Sequence, residues 1–248
     1  MQGSSTNRTS KTSETPSRNL DVSRRISSTG ARQQGASRAK LLAAAGLVGS
    51  AVGTAALTAS HVVRPDVNDT STISAYAVGP HGWLMTTAFL FLGLGALALA
   101  IGLHRAMTPS RWLLVGTVLV GVFGIGFILA GVFPVGGCEN VQCVARFESG
   151  ADVSMSAAAI AHGAGALLGL LLLIVGMLVL SRAFKHDPRW RSLWPWSLVL
   201  GLAALIQFFL AGEGIVGAIL MRTLVLTLVL WMVLAAIRLR SSARSRVA

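Results

Sequence analysis

Long apolar runs, separated by short polar or charged segments, dominate the pattern of this chain. Six are present, at residues 41–63, 82–103, 112–133, 156–180, 194–210 and 215–237. A bilayer core about 30 Å thick needs about 20 apolar residues in a helix that rises about 1.5 Å per residue. The pattern therefore predicts an all-α, polytopic membrane protein with six transmembrane helices in one bundle.

The polar segments divide the chain into a membrane domain and two tails. Residues 1–40 contain 14 Ser or Thr, eight Lys or Arg and no Phe, Trp or Tyr, so they have little to bury and are predicted to be disordered. Residues 41–240 form the six-helix domain, and residues 241–248 form a short basic tail. The second and third runs, like the fourth and fifth, are joined by short connections, which predict antiparallel neighbours.

Composition and charge sharpen this picture. Of the 248 residues, 53% are hydrophobic and 12% are charged, whereas soluble proteins carry about 25% charged residues, so a water-soluble protein is excluded. The net charge of +12 is unevenly placed, because 18 of the 21 basic residues fall in residues 1–40, in residues 238–248 and in the connections after the second and fourth runs. Basic residues favour the cytoplasmic side, so we expect both termini in the cytoplasm and a location in the plasma membrane. The basic tails are not interleaved with aromatic residues, so we expect membrane lipids and no nucleic acid as partners.

Glycine and tryptophan positions fit this membrane interpretation. Gly49-x-x-x-Gly53 and Gly165-x-x-x-Gly169 place small residues on one helix face, where they allow close packing of helices. We interpret them mainly as packing faces within one bundle, with homodimer contacts as the alternative. The six Trp residues mostly flank the apolar runs, as expected at a membrane–water interface.

Cys138 and Cys143 are the only cysteines, and both fall in the loop between the third and fourth runs, which the charge bias places outside. In an oxidising compartment this pair predicts a small disulfide loop. Two free thiols and a redox pair are the alternatives, although the spacing is not Cys-x-x-Cys.

Arg222 is the basic residue that topology does not explain, because it lies inside the sixth run. His162 lies at a similar depth in the fourth run, His81 precedes the second, and Glu213 precedes the sixth. An ionisable group at this depth normally has a partner, so these four residues predict a polar pocket in the outer leaflet. The alternative is that Arg222 snorkels to the interface or forms one ion pair, with the histidines as interfacial residues. The sequence has no H-E-x-x-H or similar ligand spacing, so neither a metal nor another cofactor is predicted.

Residues 76–83 read Tyr-x-x-Gly-Pro-x-Gly-Trp and lead into the second run. This segment resembles the entry to the second span in the bacterial six-span family called domain of unknown function 998. Further similarities are the Gly-Val-Phe-Pro sequence at residues 131–134, His162-Gly163, and the stretch from Arg222 to Trp231. The resemblance covers about residues 41–240. It implies the six-span fold and the membrane location, and it implies no established activity.

Three classes of function remain open. The leading hypothesis is a non-enzymatic binding or accessory protein, in which Arg222 with His162 engages an anionic group such as a lipid head group. The rival is a membrane-embedded enzyme acting on a lipid-linked substrate, with His81 or His162 as general base and Glu213 as acid. A small transporter is the third, and it is the weakest because the cytoplasmic halves of the runs offer almost no ionisable groups.

Overall fold

The structure is a computed structural model that describes residues 17–67, 73–133, 157–212 and 214–244. Every regular element in these ranges is a helix. The α-helices are α1 (Ser17–Val63), α2 (Gly82–Ala106), α3 (Arg111–Val132), α4 (Ala157–His186), α5 (Trp194–Leu210) and α6 (Gly214–Arg244). Three short 3-10 helices, at Pro65–Val67, Ile73–Ala77 and Arg191–Leu193, lie in the connections.

The prediction of six transmembrane helices in an all-α fold is confirmed. Each helix contains a stretch long and apolar enough to cross a membrane. These stretches are Ser37–Val63, Gly82–Ala106, Arg111–Val132, Ala157–His186, Arg191–Leu210 and Gly214–Ala243.

Helix α1 begins earlier than the apolar pattern indicates. Residues 1–40 were predicted to be disordered, whereas α1 begins at Ser17 and continues without a break into the first membrane-spanning stretch. Extending an existing helix is far less costly than nucleating a new one, and residues 31–40 are rich in the good helix formers Ala, Arg, Gln and Lys. Residues 1–16 lie outside the part of the chain that the structure describes.

The six helices close into a ring. Each packs against the next along the chain, α6 packs against α1, and α2 also contacts α6. Side chains of Leu42 in α1 and Leu239 in α6 both lie beside Gly102 in α2, so the membrane-spanning stretch of α1 starts and that of α6 finishes at the same end of the bundle. We call this end, formed by residues 37–42, 102–112, 182–194 and 237–244, the basic end. The end where α1 leads into α2 is called the far end.

Pairs of glycines bring neighbouring helices together. They are Gly49 with Gly95 between α1 and α2, Gly93 with Gly124 between α2 and α3, and Gly126 with Gly165 between α3 and α4. A Cβ atom on Gly126 would lie 2.5 Å from the carbonyl oxygen of Gly165, too close for any side chain. Such contacts supply the van der Waals packing that joins helices in lipid. The interpretation of Gly49 and Gly165 as packing faces within one bundle is therefore confirmed.

A carboxylate fastens two connections at the basic end. Asp187, after α4, accepts hydrogen bonds from the backbone N–H and the hydroxyl of Thr108, after α2, both at 3.2 Å. It also accepts from the backbone N–H of Arg189 at 3.0 Å. Burial alone raises the pKa of the Asp187 carboxyl, but these hydrogen bonds and the Arg189 charge outweigh burial and hold that pKa below its ordinary value. The ionised carboxylate thus locks the α2–α3 connection to the α4–α5 connection.

Two tryptophans belong to the core and not to an interfacial belt. The side chain of Trp231 is 1% exposed, and its indole N–H donates to the Ser197 hydroxyl at 2.8 Å, which ties α6 to α5. Trp190 is fully buried and stacks on Phe184, with ring centroids 5.7 Å apart. By contrast, Trp83 and Trp196 are more than half exposed. The interfacial interpretation is therefore wrong for Trp190 and Trp231, which fill space between helices.

We expect Gly126→Ala to lower the unfolding free energy in detergent by about 1–3 kcal/mol, because the added methyl forces α3 away from α4. Gly121→Ala, on the same helix, is the matched control, since its Cβ would meet nothing within 4 Å. The control should be neutral or more stable by up to about 1 kcal/mol, from helix propensity. Thermal unfolding followed by circular dichroism measures both. Equal midpoints for the two variants would show that the Gly126–Gly165 crossing does not hold the helices together.

Candidate functional site: the Arg222 cluster

Arg222 lies inside a membrane-spanning stretch near the far end of the bundle. It is eight residues from the start of α6 at Gly214, or about 12 Å along the helix axis. Its side chain is partly exposed. A guanidinium inside a membrane-spanning helix needs hydrogen-bond acceptors, because the hydrocarbon of the membrane supplies none.

Acceptors on α1, on the α1–α2 connection and on α6 orient the guanidinium within the part of the chain that the structure describes. Nε donates to Nε2 of His61 in α1 at 2.8 Å, and Nη2 donates to the hydroxyl of Tyr76 at 3.2 Å. Nη1 donates to the carbonyl of Ala218, one turn earlier in α6, at 2.8 Å. We call Arg222, His61 and Tyr76 the Arg222 cluster. It joins α6, α1 and the connection between α1 and α2 at a single charged group.

The hydrogen bonds of His61 define its protonation state. Its Nδ1 lies 2.8 Å from the carbonyl oxygen of Leu57, which can only accept, so Nδ1 carries the hydrogen. Its Nε2 faces the N–H of Arg222 and therefore accepts. A second proton, on Nε2, would point at the N–H of the guanidinium. His61 is therefore a neutral imidazole that makes one hydrogen bond with each ring nitrogen. The ring also packs against Tyr76, with centroids 4.4 Å apart.

The segment that carries Tyr76 is itself fixed by a second arginine. Residues Ile73–Ala77 form a 3-10 helix whose first four side chains are buried. Nη1 of Arg64, at the end of α1, donates to the carbonyls of Val78 at 2.7 Å and Pro80 at 3.1 Å. Arg64 is only 8% exposed, so its guanidinium is enclosed by the protein. We call residues 73–80 the far-end segment.

Two glycines allow the backbone to pass from the far-end segment into α2. Gly79 has φ +79°, a left-handed conformation, and a Cβ there would lie 3.4 Å from the Arg64 guanidinium. A Cβ on Gly82 would clash with the carbonyl of Ala77, so the turn into α2 requires glycine. These contacts give a physical reason for the glycines of the Tyr-x-x-Gly-Pro-x-Gly-Trp motif.

His162 lies in a different environment, between α4 and the end of α3. It is 3% exposed, and its Nδ1 lies 2.9 Å from the carbonyl oxygen of Phe133. Its ring meets Phe89 edge-on, with centroids 5.7 Å apart. Among the residues that the structure describes, its Nε2 is buried without a hydrogen-bond partner. His162 thus packs α4 against α3 and α2.

The predicted pocket residues are only partly accounted for. His81 is exposed at the start of α2, with φ +66°, and within the described ranges no hydrogen bond joins Arg222 to His81 or His162. Glu213, Cys138 and Cys143 lie outside the described residues. The four-residue pocket and the disulfide therefore stay predictions. In the same ranges, no three His, Cys, Asp or Glu side chains group together as a metal site would need.

Sequence reasoning did not assign His61, Tyr76 or Arg64 to the site. Tyr76 gave a usable signal, since it is the only tyrosine in the chain and opens the motif that resembles a known family. His61 falls at the end of the first run, at the same level as the predicted pocket, but the sequence did not show its contact with Arg222, and Arg64 gave no signal.

We expect Tyr76→Phe to lower the unfolding free energy by about 1–2 kcal/mol, because it removes the acceptor for Nη2 of Arg222 and keeps the ring. The control is Thr223→Val, whose hydroxyl bonds only to carbonyls of its own helix, Ile219 and Leu220. Thermal unfolding should show a lower midpoint for Tyr76→Phe than for the control. If the two variants unfold together, the tyrosine hydroxyl does not help to hold Arg222.

Comparisons with known proteins return one family. No curated protein and no solved structure matches the chain. The family model described as protein of unknown function (DUF998) matches residues 42–238, which cover the far-end segment and all or most of each membrane-spanning stretch. The chain therefore belongs to the DUF998 family, as the motif at residues 76–83 predicted.

Proposed function

We propose that this multi-pass membrane protein binds an anionic group, such as the phosphate of a lipid head group, at Arg222. The observation that carries the proposal is a partly exposed guanidinium, inside a membrane-spanning helix, held in one orientation by His61, Tyr76 and the Ala218 carbonyl. A group fixed before binding loses little conformational freedom when the ligand arrives, which favours affinity.

Arginine suits this role chemically. Its guanidinium stays charged in any protein environment and offers five N–H donors in a planar fork. That fork matches the oxygen atoms of a phosphate or carboxylate, and charge-assisted hydrogen bonds of this type are about twice as strong as neutral ones. Arg222 lies near the far end of the bundle, about 12 Å from the start of α6, and its long side chain can extend towards head groups at that end.

The state of His61 favours binding over catalysis at this site. A general base needs a free lone pair within reach of the substrate. The Nε2 lone pair of His61 accepts from Arg222, and its Nδ1–H is directed to Leu57. The imidazole beside the guanidinium therefore serves to position it. At the Arg222 cluster we therefore propose a binding or accessory role, and not general-base catalysis by His61.

We also propose that the basic end faces the cytoplasm, with both termini there, and that the protein resides in the plasma membrane. The positive charges of the basic end support this orientation. Arg222 then lies in the outer leaflet, where it would meet head groups of lipids on the outer face.

Reporter fusions expressed in a bacterial host test the orientation. Alkaline phosphatase, which is active only outside the cytoplasm, should be inactive when fused after Ala248 and active when fused after Gly150. A green fluorescent protein fusion should give the reverse pattern. An active phosphatase after Ala248 would mean that the basic end faces outward.

Lipid retention tests the binding site. In native mass spectrometry of protein purified from nanodiscs, wild type should retain phosphatidylglycerol in preference to phosphatidylcholine. Arg222→Gln should weaken that preference by about tenfold, or about 1.4 kcal/mol, because a charge-assisted contact is lost.

Two variants make the result specific. Arg240→Gln removes an exposed arginine from the same helix at the basic end and should bind as wild type does. Arg222→Lys keeps the charge without the planar fork and should fall between wild type and Arg222→Gln. Equal preference for phosphatidylglycerol in wild type and Arg222→Gln would overturn the proposal.

A further inference from the structure

We propose that the groove between α1 and α6 holds the hydrocarbon chain of the lipid phosphate whose head group binds Arg222. This inference rests on the proposed function and names its ligand more closely. The ligand is a lipid with one phosphate-bearing head group at the far end and one chain directed along α1 towards the basic end.

The groove is large and almost entirely apolar. Its volume is about 960 Å³, and it follows one face of α1 from Leu47 to Val63. Small side chains make it concave, among them Ala51, Thr54, Ala55 and Thr58. Thr54 turns its hydroxyl to the carbonyl of Ser50 at 2.7 Å, which satisfies that hydroxyl within the helix. The surface offered to a ligand is therefore suited to a hydrocarbon.

The groove and Arg222 lie on the same face of α6. Val229 and Val233 form the α6 wall of the groove, and they follow Arg222 by seven and 11 residues, close to two and three helical turns. The guanidinium therefore lies about 10 Å beyond Val229, in line with the groove. A molecule with its phosphate at Arg222 has its chain directed into the groove.

The pairing of α1 with α6 gives the same alignment. His61 contacts Arg222, and Gly46 faces Ala236 at the other end of the crossing, so the two helices run antiparallel in nearly constant register. Ser50 then lies at the level of Val233. Its side chain is fully buried in the groove wall, and its hydroxyl has no hydrogen-bond partner among the described residues. The register of α1 against α6 therefore keeps the groove in line with Arg222.

Length and charge favour a lipid over a second copy of the chain. From His61 to Leu47 the groove extends 14 residues, or about 21 Å, which exceeds half of a hydrocarbon core about 30 Å thick. A long single chain fits that length. A symmetric dimer through the same face would instead bring two Arg222 guanidinium groups to the same depth, where like charges repel.

Binding of 1-oleoyl lysophosphatidic acid, a single-chain lipid phosphate, tests the inference by titration in native mass spectrometry. Ala51→Trp places a bulky ring on an exposed, groove-lining position about 15 Å from the level of His61, so it blocks the chain and leaves the head-group site intact. We expect at least tenfold weaker binding, since the excluded methylene groups lose their apolar contacts. Val118→Trp, at a position of α3 that is also exposed but lies outside the groove, should bind as wild type does.

A second probe separates the chain from the head group. Glycerol phosphate has no chain and should compete at the same concentration in wild type and in Ala51→Trp, whereas Arg222→Gln should weaken both probes. If Ala51→Trp matches Val118→Trp while Arg222→Gln loses lipid, the groove inference fails and the anion site stands. If all three variants bind the lipid as wild type does, both fail. A wild-type dimer that Ala51→Trp converts to a monomer without changing lipid affinity would identify a second copy as the occupant and overturn the inference.

Discussion

The hydrogen-bonding demand of one guanidinium inside the membrane organises the far end of this protein. Arg222 cannot be left unsatisfied in lipid, so it draws a histidine from α1 and a tyrosine from the far-end segment into contact with α6. The same demand applies to Arg64, whose Nη1 donates to two backbone carbonyls of that segment. The two arginines thus determine where the chain passes between α1 and α2 and how α1 closes the ring with α6.

Away from the far end, the helices are joined mainly by close packing and not by charged groups. Glycine pairs draw α1, α2, α3 and α4 together in sequence, while the Trp231–Ser197 hydrogen bond joins α5 to α6. At the basic end, Asp187 locks two connections through Thr108. The ring is therefore fastened at both ends by polar contacts and along its length by close backbone approach, which leaves the face between α1 and α6 as a groove lined by small side chains.

The membrane fold could be predicted because its signal is local. Run length gives six spans, and the spacing of Gly49 and Gly165 predicts close helix contacts. The site could not be predicted in the same way. The position of a residue along its helix gives its depth in the membrane, but it does not give the residues of other helices that it contacts. Arg222 and His162 lie at similar depth, yet ring order brings α1 to α6, so Arg222 meets His61 while His162 bonds to Phe133. The burial of Trp231 was missed for the same reason.

An experimental map of the protein in lipid nanodiscs, obtained by electron cryomicroscopy, addresses the anion site most directly. We expect density for an anionic group within hydrogen-bond distance of the Arg222 guanidinium, roughly 2.7–3.2 Å, with His61 and Tyr76 still in contact with it. A map in which the guanidinium contacts only protein atoms, with phosphatidylglycerol present in the nanodisc, would contradict a binding role for Arg222.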